Sequence, residues 1–162
     1  MAKDSDGDLE ALVGCLLYRT QDAAVTLGSF SIAESILTSV GRWLGTLPSE
    51  LRDSAPWQRE GAVLWNRKGD LARATGDLAG ARDAYQAALA IAQRLAAADP
   101  TNAEWQYDLA ISLDRLGATE DDATRQREYL AQAHSIVDAL VQTGRADADA
   151  KGLAVRLLKQ LE

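Results

Sequence analysis

The 162-residue chain carries 17 Lys and Arg against 24 Asp and Glu, a net charge of −7, with 47% hydrophobic residues, one Cys and one His. A chain of this length buries about two-thirds of its unfolded surface, so one self-sufficient domain is expected; one Cys excludes an internal disulfide, and one Cys with one His is too few for a zinc site. The acidic balance argues against phosphate-binding surfaces and hence against nucleic acid, and no apolar run approaches the roughly 20 residues of a membrane span.

Residues 1–8, rich in Asp, read as a flexible acidic tail without an apolar leader core, and a cytoplasmic protein is expected. From there apolar residues recur at the three-and-four spacing of one helix face. The spacing predicts helices over about 9–27, 30–46, 56–75, 78–98, 103–118, 122–143 and 147–161. Pro48, Pro56 and Pro100 lie between the repeating units, none in a helix interior, so they avoid the cost of about 3 kcal/mol that such a position imposes. Gly28 and Gly76 stand at helix-to-helix corners, positions suited to a left-handed cap. Thr101 with Glu104 reads as a capping box, Ser54 or Asp53 as the cap of the helix near 56, and Asp147 or Asp149 as the cap of the last helix. No strand-like alternation is sustained, so the fold class expected is all-α.

The helices repeat in pairs. Trp57-Gln58 recurs as Trp105-Gln106 at a shift of 48, and Arg67, Gly69 and Leu17 align at the same shift with Arg115, Gly117 and Trp65. After Glu120-Asp121-Asp122 the shift becomes 45. Three hairpins follow, at about 9–56, 57–104 and 105–146, closed by a helix at about 147–161. That last helix carries one apolar stripe, Ala150, Leu153, Ala154, Leu157, Leu158 and Leu161, as a cap over an open-ended array should; its alternative use is to dock on a partner.

The stretch from Ala62 to Ile91 resembles the tetratricopeptide repeat (TPR), through Trp65, Gly69, Ala72, Gly76-Asp77, Ala81, Tyr85 and Ala88. It departs at Lys68, where the family has Leu, and after Ile91, where the helix runs on to Asp99-Pro100. This long-helix form resembles repeats common in bacterial multidomain proteins. The resemblance implies three hairpins stacked in a right-handed superhelix whose concave groove binds peptides or partner proteins; it implies no chemistry and no cofactor.

In such a groove the first helix of each hairpin would present Tyr18 and Arg19, then Val63, Asn66, Arg67 and Asp70, then Ile111, Asp114 and Arg115. Arg19, Arg67 and Arg115 share one repeat position, so stacked helices would set them in a row about 10 Å apart. Guanidinium groups take carboxylates in paired hydrogen bonds, and the ligand expected is an acidic segment or a C-terminal carboxylate. The competing reading makes them ordinary surface charges, since Arg67 and Asp70 lie three apart on one helix. A rival function is homodimerisation through the first hairpin, with Leu12 and Leu16 in the interface.

Chemistry finds little support. Cys15 and His134 fall on the first and sixth helices and lack an orienting third group, so no enzyme is expected. The run from Asp4 to Asp8 fails as a calcium loop, because Leu9 and Cys15 stand where that loop needs Gly and Glu. Gly69, Gly76 and Gly80 lack the spacing of a phosphate loop. Trp43, Trp57, Trp65 and Trp105 are read as core.

Overall fold

The computed structural model describes Leu9, residues 12–15, Leu17 and residues 25–162. Among the described residues all regular structure is helical: α1 (Phe30–Thr46), α2 (Ser49–Arg52), α3 (Ala55–Ala74), α4 (Leu78–Ala98), α5 (Ala103–Gly117), α6 (Ala123–Gln142) and α7 (Ala148–Leu161). The expected helix over 9–27 lies largely outside the described residues, although 12–15 and 25–26 are helical. The single turn α2 was not foreseen: four residues are too few to show a period. It follows Pro48, and its Leu51 packs against the core. The chain forms two compact units, Met1–Ala88 and Leu89–Glu162, with the division inside α4.

In the first unit α1 and α3 pack antiparallel. Leu37, Val40 and Leu44 of α1 join Trp57, Leu64 and Leu71 of α3 in one buried cluster, which Val13 and Leu17 complete. Trp43 and Trp57 meet edge to face at 5.5 Å between ring centroids. The α3–α4 corner is built by Gly76 at φ +87. The Asp77 N–H donates to Ala72 O (2.8 Å) and the Gly76 N–H to Arg73 O (3.1 Å), so the last carbonyls of α3 are satisfied as in a Schellman motif. Asp77 then accepts the Gly80 N–H (2.8 Å) and caps α4. Across this corner Gly69 lies directly under the fully buried ring of Tyr85.

In the second unit α5 and α6 make the corresponding hairpin. Gly117 sits against Tyr129 and Leu130, with an added Cβ 3.4 Å from Leu130 Cδ2. Gly117 is Gly69 shifted by 48, and Leu130 is Tyr85 shifted by 45, so both register values recur as one packing contact in each unit. The cap of α5 is Asn102, whose side chain accepts the Trp105 N–H (3.1 Å). The expected capping box does not form, because the Thr101 hydroxyl donates instead to Asp99 (2.6 Å). Asn102→Ala should cost about 1 kcal/mol, measurable as a shifted urea midpoint. Ser54 stands at the start of α3 but spends its hydroxyl on Leu51 O (2.6 Å).

The last helix packs back on the second unit, although Leu158 of its expected stripe is 48% exposed. Asp147, rather than Asp149, accepts the Ala150 N–H (2.8 Å) and starts α7. Ala150, Leu153 and Leu157 are buried, α7 packs along α6, and Arg127 of α6 donates to Leu161 O (2.9 Å). A Gly144 corner at φ +69 joins the two helices.

Candidate binding surface

Helix α3 carries the largest share of the expected site, Val63, Asn66, Arg67 and Asp70, and it has two buried faces. Leu64 faces α1 at Gly41, while Gly69 faces α4 at Tyr85. At about 100° per residue these positions lie about 140° apart around the helix. A helix held on both sides leaves less open face than a single apolar stripe suggests. Val63 and Asn66, expected to face a ligand, are accordingly buried at 7% exposure each.

Arg67 and Asp70 are partly buried. The guanidinium lies 3.9 Å from the Asp70 carboxylate, which also accepts the Tyr85 hydroxyl at 2.8 Å. The three form a chain from the surface of α3 into the hairpin contact, with Asp70 drawing Arg67 back along its own helix. Arg19 and Tyr18 lie outside the described residues. In the second unit Ile111 and Arg115 are half-buried, and Asp114, expected on the open face, is buried. Its two carboxylate oxygens take Nη1 and Nη2 of Arg156 at 3.1 and 2.9 Å. This paired bridge ties α7 to α5.

Titration is perturbed near these elements in three places. Burial, with Asp149 and Asp147 nearby, pushes the Tyr107 hydroxyl above its ordinary value. The Thr101 hydroxyl and backbone N–H hold Asp99 below the usual carboxylate range, and the N–H groups of Arg125 and Thr124 do the same for the α6 cap Asp122.

Trp65 departs from the core reading. Its repeat equivalents Leu17 and Leu113 are enclosed at 0% and 3% exposure, whereas Trp65 is 38% exposed. The Lys68 ammonium lies over the indole, 4.6 Å from the ring centroid. A Trp at a Leu position, three residues before a Lys that itself replaces the expected Leu, was the available sequence signal. Beside this pair α1 and the C-terminal half of α3 enclose a cleft of about 480 Å³. Trp57 is buried, and Trp43 and Trp105 are partly so.

Cys15 is exposed and His134 is half-buried on α6. Among the described residues no three His, Cys, Asp or Glu side chains cluster as metal ligands, and no helix is long and apolar enough to cross a membrane. The chain matches no protein-family model, no curated protein and no solved structure.

Proposed function

We propose that the chain is a non-enzymatic, TPR-like interaction module that binds a peptide or protein segment, working in the cytoplasm. The observation that carries this reading is Trp65, a large aromatic left at the surface of α3 with a cation stacked on it. Aromatic and Arg side chains are the groups most enriched at protein interfaces. The Gly contact between paired helices, made once in each unit, supports the repeat architecture. Arg67 and Arg115, at one repeat position, favour an acidic segment or a C-terminal carboxylate as ligand.

The test is selection from a random peptide display library, on the wild type and on the Arg19→Ala, Arg67→Ala, Arg115→Ala triple variant, at low and physiological salt. Acidic or free C-terminal peptides should enrich on wild type alone, and binding should weaken as salt screens the charges. Enrichment indifferent to the triple change would remove the arginines from the site.

A second reading, self-association, is favoured by the exposure of Leu12 (56%), Leu27 (80%) and Ile32 (56%). It predicts a dimer by sedimentation that Leu12→Asp dissociates. A monomer at high concentration would dispose of it. Leu16, the other expected interface residue, lies outside the described residues.

A further inference from the structure

The cleft between α1 and α3 has a defined polarity. Near Lys68, which lines the cleft, the helices approach closely: a Cβ on Gly41 would stand 3.2 Å from Leu64 Cδ2 and 3.6 Å from Lys68 Nζ. The Lys68 ammonium lies close to Gly41 of α1 and over the Trp65 ring. Further along, Leu37 and Leu71, both nearly buried, form an apolar floor, and Glu34 and Asp77 also line the cleft. Glu34 lies seven residues from Gly41 along α1, which is about 10 Å of helix. The cation and the carboxylates thus occupy different ends.

We propose that this cleft is a binding site for a peptide segment carrying a basic side chain. The aliphatic stem of a Lys or Arg lies on Leu37 and Leu71, as such stems do on apolar surface, and its charged head meets Glu34 and Asp77. Asp77 spends one oxygen on the Gly80 N–H, and a carboxylate keeps acceptor sites beyond one bond. Lys68, which has three donors and no acceptor, takes backbone carbonyls of the segment and repels the basic head towards Glu34 and Asp77, which orients it. An anionic ligand meets two carboxylates against one ammonium. The net charge of −7 adds to the preference, since it concentrates cations near the surface. The volume of about 480 Å³ suits one or two residues of a peptide. The site rests on the reading of the chain as an interaction module, but not on the arginine positions.

Fluorescence polarisation of the full chain with a fluorescein-labelled, amidated pentapeptide Ala-Leu-Arg-Leu-Ala tests it, alongside versions with citrulline or Glu replacing the Arg. The Arg peptide should bind about tenfold more tightly than the neutral citrulline peptide, and the Glu peptide most weakly. Glu34→Gln should erase most of the Arg preference while leaving the citrulline peptide unchanged. Thr38→Phe, which fills the cleft from an exposed position on α1, should abolish all binding at an unchanged circular dichroism spectrum. Equal binding of the Arg and citrulline peptides, an Arg preference that survives Glu34→Gln, or no binding of any peptide overturns the site. Library peptides that enrich on wild type and equally on both cleft variants would leave the module reading standing without this cleft, whereas failure of the library as well would remove both.

Discussion

Gly69→Val is expected to destabilise the chain by about 3 kcal/mol, the upper end of ordinary overpacking costs, and to lower the melting temperature by roughly 6–12 °C. A Cβ at this position would run into the Tyr85 ring at Cε1, Cδ1 and Cζ. The ring has no free direction. It is fully buried beside Ala81, Ala84 and Ala88, and its hydroxyl is held 2.8 Å from Asp70 Oδ1. Gly117→Val provides the internal comparison, because there the neighbour is the flexible end of Leu130 at 3.4 Å, with Tyr129 Cβ at 3.3 Å. That variant should lose less. Tyr85→Ala alone should cost about 3–5 kcal/mol by opening a cavity, and combined with Gly69→Val the total should fall short of the sum by at least about 1 kcal/mol, because the valine enters the vacated space. Urea denaturation of the four proteins checks the cycle. A neutral Gly69→Val would mean that α3 and α4 do not approach as described.

The helices were legible because their signals are local and redundant. Apolar spacing placed α1 over 30–46 and α4 over 78–98, matching the observed spans, and the other long described helices to within a residue at each end. The repeat added something the period alone lacks, since the shift from 48 to 45 anticipated that Leu130 would take the place of Tyr85. The site was harder to read because side-chain destinations there depend on distant partners. Asp114 finds Arg156 at a separation of 42 residues, and nothing near either residue announces the pair. Val63 and Asn66 lie off the apolar stripe that periodicity marks, yet α3 is packed on two faces and both are buried. Thr101 looked like a cap until Asp99, two residues before it, took its hydroxyl. Packing on a second face decided Val63 and Asn66, a partner on another helix decided Asp114, and a residue two positions away decided Thr101.

Arg156→Ala should cost more than Asp114→Ala, although the two substitutions break the same bridge. Asp114 is 8% exposed, while half of the Arg156 side chain faces water at 51%. Removing the arginine leaves a buried carboxylate without its paired donors, a loss of about 2–3 kcal/mol for a group at the edge of a hairpin. Removing the aspartate leaves a guanidinium that swings into solvent, at about 1 kcal/mol or less. The larger loss has a structural outlet. Opening of α7 lets water reach Asp114, so amide exchange in Arg156→Ala should quicken over 148–161 before it does in α5 and α6, which keep their Gly117 contact. Leu153 and Leu157 oppose that opening, each contributing about 1.5–3 kcal/mol of burial, so α7 remains docked on average while exchanging faster. Replacing both partners by apolar residues of similar size, Asp114→Leu with Arg156→Met, should recover most of the loss, because no charge is then left uncompensated. Urea midpoints of the three variants, read with exchange by mass spectrometry, separate the cases. If Asp114→Ala proved the more damaging, the carboxylate would be serving α5 itself, and α7 would be held by its apolar stripe alone.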